Sequence, residues 1–467
     1  MKNISRFMSI LLCLLLGASM VSCAKPDISD PLAENPELIQ NVTNDWMPVL
    51  SEEECLKTMG LGNSEDTLHV ATHVRSRNYG NFLYFLGYNT YKNKTGKEVS
   101  KRMLMRYDLR TAQSYPACAD SACLHRDEGC PFYNISVSGF VMEGNMVYML
   151  TAASTDDGNV DTSKKGGICS YNLDTLEYEW ICDREVSALS YLGYYQNKLY
   201  YVQHEYKKDN NEHDKYVWEC NIKTEKTKKL FCYGDEKDRG KEGRIPLMID
   251  EKGRMLFINF ISMDSTAVYQ ESTVAFEYAE LEKDAEVKKI VEHNARFDWL
   301  SHQTLQYHDG KLYFSEFAER SEEIAYTVNG KEYSTSTVRH AICYVDINTG
   351  EIGTLIENTI CGFAIAGDYV YYIPYAPEVI EYENGDSLVA KANGSVMQYN
   401  LKTGQEKEFK INGRLDLGHA YTYYYRGRLF TYAYDLKDSS DARGAEIEID
   451  LITGEYRKIP KILLQAM

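Results

Sequence analysis

Four side chains able to bind a soft metal ion, Cys118, Cys123, His125 and Cys130, fall within thirteen residues of the stretch ACADSACLHRDEGCPF. Three thiolates and one imidazole match the donor set of a closed tetrahedral zinc site, where four protein ligands leave no open position for a substrate. The set therefore points to structural zinc. The same cysteines can instead supply one disulfide, with the third pairing elsewhere, for instance with Cys55. Either arrangement would staple the loop that carries them. Asp127 and Glu128 add negative field beside the cluster without being counted as ligands.

The other cysteines give a second set of options. Cys169 and Cys182 flank one strand-turn-strand segment, and Cys220 and Cys232 flank another, so each pair is a candidate disulfide or a pair of buried thiols. Cys343 and Cys361 have no obvious partner in the sequence.

Beyond the cysteines, the sequence offers little that reads as catalysis. It contains no GxSxG elbow, HExxH helix, Walker loop or helix-opening GxGxxG. His69 and His73 share one face of the strand TLHVATHV but stand about 13 Å apart, too far for one ion. No residue is assigned a catalytic role, and binding is favoured over catalysis. The alternative is a hydrolase or lyase acting on extracellular glycans, with carboxylates from different repeats meeting at a channel mouth.

The elements that position these residues begin with an export signal. MKNISRFMSILLCLLLGASMVSC places Lys2 and Arg6 before an apolar run too short to span a bilayer. Residues 1–22 are read as a lipoprotein signal peptide and 23–66 as a tether with a short helix at EEECLKTM, opened by a capping box from Ser51 to Glu54. The 467 residues carry 51 basic and 69 acidic side chains, a net charge of -18, and loss of Lys2 and Arg6 moves this to -20. Such acidity disfavours nucleic acid as a partner. Ten cysteines would remain after Cys13 is removed and Cys23 acylated, an even number that suits disulfides in an exported protein.

From residue 67 to 461 two themes alternate, each seven times. One is a turn followed by a tyrosine-rich strand, as in GNFLYFLGY, DGKLYFSEF and RGRLFTYAY. The other is strand, tight turn, strand, as in SYNLDTLEYEW, YVDINTGEIGTL and EIDLITGEYRKI. With a further strand leading into the first theme, each repeat supplies four strands, the composition of a β-propeller blade. The expectation is an all-β, seven-bladed β-propeller. It has six blades if the fourth copy, FEYAELEKDAEV, is helical, and a pair of β-sandwiches is the alternative architecture. Residues 462–467 form a C-terminal tail.

The repeated DINTGE, NLKTGQ and DLITGE segments resemble the blades of TolB-like and quinoprotein-like propellers. Met20-Val21-Ser22-Cys23 resembles the bacterial lipobox, and with the Cys-x4-Cys-x-His-x4-Cys insert it resembles a set of bacterial propeller lipoproteins of unassigned function. The resemblance implies lipidation at Cys23 and a protein tethered to the extracytoplasmic face of the cell membrane. Quinoprotein blades end in a docking tryptophan, which only Trp180 matches, so pyrroloquinoline quinone is not expected.

Up-and-down blade topology sends the loops between second and third strands to the same face as the interblade crossings. Long inserts occur there, among them AERSEEIAYTVNGKEYSTSTVRH and APEVIEYENGDSLVAKANG. Asn329-Gly330 and Asn384-Gly385 are hairpin turns that would set two hairpins side by side. Tyr326, Tyr333 and Tyr382 would then offer aromatic contact surface to a protein, peptide or glycan.

Overall fold

Backbone turns that L-residues enter reluctantly set the rhythm of this chain. The computed structural model describes residues 54, 76–92, 95–118, 130, 132–133, 135–154, 166–184, 189–206, 213–234, 243–263, 271–296, 305–321, 323–392, 394–413, 415–417, 422–436 and 444–459. The expected signal peptide, Cys23, Cys55 and the 462–467 tail lie outside them; of the tether, Glu54 is described, helical and exposed.

The first theme turns on a positive φ each time. Glycine supplies it at Gly80, Gly144, Gly253, Gly310, Gly367 and Gly427, while the third copy uses Gln196 and Asn197. The second theme turns on side chains. Asn172 Oδ1 accepts the backbone N–H of Asp174 at 2.9 Å and of Thr175 at 3.1 Å. Asn221, Asp346, Asn400 and Asp450 repeat this geometry. The hydroxyl of Thr175, Thr349, Thr403 or Thr453 then accepts the N–H two residues on. The residue after that threonine position is left-handed: Gly350, Gly404 and Gly454, but also Leu176 at 62° and Glu225 at 60°. Local side-chain acceptors thus hold a backbone state that glycine would take without strain.

Four sheets have four strands each, all antiparallel and in chain order. The first is β1 (Ser76–Tyr79), β2 (Phe82–Lys92), β3 (Glu98–Asp108) and β4 (Gln113–Pro116). The second is β5 (Ile135–Glu143), β6 (Met146–Ala153), β7 (Gly166–Asn172) and β8 (Tyr178–Arg184). The third is β9 (Leu189–Tyr195), β10 (Lys198–Tyr206), β11 (His213–Asn221) and β12 (Thr227–Gly234). The fourth is β13 (Gly243–Ile249), β14 (Arg254–Met263), β15 (Glu271–Glu280) and β16 (Lys288–Arg296), so the weakest copy in sequence is a strand hairpin and not a helix.

The next region departs from the expectation. β17 (Gln306–His308), β18 (Lys311–Arg320), β21 (Val338–Asp346), β22 (Ile352–Ala366), β23 (Tyr369–Pro374), β26 (Ser395–Asn400) and β27 (Glu406–Lys410) form one seven-stranded sheet. Two separate hairpins interrupt its chain order: β19 (Ile324–Val328) with β20 (Lys331–Thr335), and β24 (Glu378–Glu381) with β25 (Ser387–Ala390). The last sheet is built from β28 (Leu415–Leu417), β29 (Tyr423–Tyr425), β30 (Arg428–Asp435), β31 (Ala445–Asp450) and β32 (Tyr456–Lys458).

The expected seven blades, or six, are therefore corrected. Among the described residues there are five discrete blades, the four-stranded sheets and the last one, and β17 to β27 do not divide into further blades. The cause is β22, which runs 15 residues without a break. Thr359 pairs with His340 on one side and Pro374 on the other, and its hydroxyl donates to the carbonyl of Ile373 at 3.0 Å. The segment TLIENTI, rich in Thr and Ile, keeps the extended form where a blade boundary was expected.

Apolar clusters join each sheet to the next and return to the start, which makes the molecule a β-propeller. One cluster packs the second sheet on the third through Ile168, Ile181, Leu192 and Tyr201. Others pack third on fourth and fourth on the seven-stranded sheet. The last sheet contributes Tyr423 and Phe430 to a cluster with Phe82, Tyr107 and Cys169 of the first two.

Among the described residues no strand is shared between first and last sheets, so side chains close the ring. Glu448, 0 % exposed, accepts hydrogen bonds from Tyr107 of the first sheet and from Arg428 and Arg457 of the last. Arg457 also donates to the carbonyl of Leu109, Tyr425 to that of Gly80 at 2.8 Å, and Arg426 to Asn81 at 2.9 Å.

Two outcomes follow from these contacts. Glu448→Ala removes the buried carboxylate shared by Tyr107, Arg428 and Arg457 and is expected to lower stability by about 3–5 kcal/mol in urea unfolding. Glu225→Gly relieves an exposed left-handed residue and is expected to raise stability by about 0.5–1 kcal/mol in the same assay.

Candidate functional site

The crossing from β4 to β5 carries the metal-ligand motif, and the structure shows how its two ends are seated. Cys118 and Cys130 are both buried in the cluster between the first two sheets, beside Phe132 and Tyr171. Tyr171 Oη donates to the carbonyl of Ala117 at 3.1 Å, and the N–H of Tyr133 donates to the carbonyl of Cys130 at 2.9 Å. Lys101, 2 % exposed, donates to the carbonyl of Phe132 at 2.7 Å; burial brings its pKa down to about 8, with Cys130 opposing the shift. Cys123 and His125 lie outside the described residues. Among the described residues no group of three or more His, Cys, Asp or Glu is arranged to hold a metal ion.

Strand register overturns the two hairpin pairings of cysteines. Cys220 pairs with Thr227 and Cys232 with Tyr216, four positions apart on β11, or about 13 Å. In the second sheet a bulge sets Cys182 opposite Ile168 and Cys169 opposite Trp180. Cys169 consequently packs toward the first sheet and Cys182 toward the third.

The two long inserts of the seven-stranded sheet do form hairpins, and they stand beside each other. Asn329 and Gly330 take φ of 51° and 70°, the pair of left-handed residues that an Asn-Gly hairpin turn requires. At the base, the hydroxyls of Thr337 and Tyr375, one from the stem of each hairpin, are 2.6 Å apart. Toward the tips, the N–H of Thr327 donates to Ser387 Oγ and that of Asn329 to Asp386 Oδ1, both at 2.7 Å. Asp416 of β28 accepts the N–H groups of Lys391 and Ala392, which fastens the second hairpin to the last sheet.

Tyr326 and Tyr333 are cross-strand partners with ring centroids 5.7 Å apart. Tyr333 is 46 % exposed, whereas Tyr326 is half-buried. Tyr382 packs with Ile380, Leu388 and Ala390 against Leu436 of the last blade. Val379, 43 % exposed, was not singled out in the sequence, although its alternation with buried Ile380 in EVIEY could have revealed it.

Buried carboxylates elsewhere are held by partners. Glu277 pairs with Arg244 and Asn259, and the half-buried Glu316 with His293 at 3.2 Å and the thiol of Cys343 at 3.6 Å. Burial, followed by Glu316, pushes the Cys343 thiol up to about 12, which keeps it protonated at neutral pH. Burial and the neighbouring carboxylate thus disfavour its nucleophilic thiolate form.

No protein-family profile matches the chain, and no curated protein matches it. Among solved structures, puromycin hydrolase is similar at a TM-score of 0.41 and 9% identity over 89% of this chain and 56% of that one. This chain therefore spans little more than half the length of that enzyme. The β-propeller domain of the Trilobed protease from Pyrococcus furiosus gives a TM-score of 0.41 at 11% identity, covering 85% of this chain and 99% of that one. Polysaccharide lyase Uly1 gives 0.38 at 11% identity, over 88% and 95%. Likeness at this level says nothing about activity.

Below the hairpins, His340 on β21 lies edge-on to Phe317 and is 9 % exposed. Burial, with Lys391 adding to it, lowers its pKa from 6.5 to about 4. The folded protein thus disfavours the imidazolium, and the unfolded chain binds the proton first as pH falls. Stability is complete above about pH 6.5, and about 3 kcal/mol is expected to be lost by pH 4. His340→Asn should flatten that limb of the stability profile in urea titrations between those pH values.

Proposed function

We propose that this protein is a binding or scaffolding module for a protein, peptide or glycan, held at the extracytoplasmic face of the membrane through lipidated Cys23. Its recognition surface is the pair of hairpins on the seven-stranded sheet. One observation carries this reading: Tyr333, packed against Tyr326 and almost half exposed, lies on one of two hairpins fixed to each other at base and tip. Aromatic side chains on a preorganised support bind with little entropy loss, and tyrosines are over-represented among residues that dominate binding energy.

The anchoring half of the proposal rests on the lipobox-like MVSC and the charged and apolar regions before it. Cys118, Cys123, His125 and Cys130 are assigned to stapling the first interblade crossing, through zinc or a disulfide, because Cys118 and Cys130 are rooted in the core and not open to a substrate. A hydrolase or lyase acting on glycans is less well supported. Glu448 and Glu277, both buried, are neutralised by arginines and serve the fold.

The test is a binding screen of the full-length protein against peptidoglycan fragments, soluble polysaccharides and peptides, read by biolayer interferometry. Tyr333→Ala and Tyr326→Ala are expected to weaken the bound class by about tenfold or more with unchanged thermal midpoint. A ligand bound equally well by both variants would place recognition elsewhere.

A further inference from the structure

Cys182 on β8 and Cys220 on β11 belong to different blades, yet their Sγ atoms are 3.9 Å apart. From this contact we infer that Cys182 and Cys220 are a redox modification site, a disulfide that bridges the second and third blades when the protein meets a disulfide oxidant.

The pairing follows from the strands. Bulged pairing in the second sheet turns Cys182 to the face it shares with Ile168, away from Cys169, and onto the third blade. Cys220 sits beside the β11–β12 turn, and the register puts Cys232 about 13 Å along the strand, out of disulfide reach. Both residues are thiols in this structure, and both belong to the apolar cluster that includes Ile181, Leu192 and Leu199. Sulfurs already in van der Waals contact need a short approach to bond.

Their exposure sets the order of steps. Cys182 is half-buried and Cys220 is 0 % exposed, so an external disulfide reaches Cys182 first. The Cys182 thiolate attacks a low-molecular-weight disulfide RSSR, forming a mixed disulfide and releasing RS⁻. The Cys220 thiolate, already in contact, attacks the Cys182 sulfur and releases the second RS⁻. Two protons from the protein thiols end on the two RS⁻ groups. The cysteine pair is oxidised by two electrons and RSSR is reduced to two RSH.

Such a bond spans an interface that is otherwise apolar packing and closes a loop from residue 182 to 220, a length at which cross-linking restricts the unfolded chain substantially. Exposed Cys232, by contrast, stands too far from Cys220 to resolve a mixed disulfide within its own hairpin.

The full-length protein, purified under reduction, would be incubated with oxidised glutathione at about pH 8.5, where thiolate forms readily. After denaturation, alkylation and digestion without reductant, mass spectrometry should show a linked peptide containing Cys182 and Cys220. The thermal midpoint should rise on oxidation and fall back with dithiothreitol, and Cys182→Ala should show neither the peptide nor the rise. Recovery of Cys182 and Cys220 on separate peptides from folded, oxidised wild type, alkylated or glutathionylated, overturns the inference. So does Cys182 linked to any other cysteine.

Discussion

Everything in this molecule depends on bringing its last sheet against its first, two sheets that share no strand among the described residues. A propeller that splits one blade between its termini closes through backbone hydrogen bonds. Here, among the described residues, the first and last sheets each pair only their own strands, and side chains join them. Glu448 is the centre of that closure, because it collects Tyr107 from the first sheet and two arginines from the last in a place without water. A carboxylate so buried is tolerable only when its charge is met and its lone pairs are occupied. The cluster of Phe82, Tyr107, Tyr423 and Phe430 around it supplies the dry surroundings that strengthen these bonds.

On the sheet that precedes the last one, the two hairpins meet different physical demands. They bury little of their own surface, so neither would be stable alone. Their order comes from each other: backbone N–H groups of the first are taken up by Ser387 and Asp386 of the second, and the stems meet at Thr337 and Tyr375. Ile380, Ala390 and Tyr382 then anchor the pair on Leu436. The tyrosine pair thereby gains a fixed position that a lone loop could not give it.

Much of the fold was legible because the turns carry their chemistry in the sequence. Gly80, Gly144 and Gly310 mark one set of reversals, and Asn172, Asp346 and Asp450 with their following threonines mark the other. The number of blades was not legible, since nothing in TLIENTICGFAIA says whether a continuous strand will bend into two sheets or remain in one. The cysteine partners failed for a related reason: the bulge that turns Cys182 away from Cys169 changes the face of a side chain without changing its spacing. Of the tyrosines, the Asn-Gly turn gave the pairing of Tyr326 with Tyr333, but Tyr382 went to a packing site created by a residue far along the chain. His340 carries no pattern at all, as a single histidine in a strand shows its burial only once the neighbouring sheets are in place.

The unbroken β22 also changes how the ring would bear force. Both hairpins grow from the same seven-stranded sheet, so a pull on either is shared across ladders of backbone hydrogen bonds loaded side by side. The third sheet, by comparison, meets its neighbours through clusters of apolar side chains, whose contacts give way singly. Pulled by these hairpins, the molecule would therefore yield first at a seam between discrete blades, while the seven-stranded sheet keeps its shape.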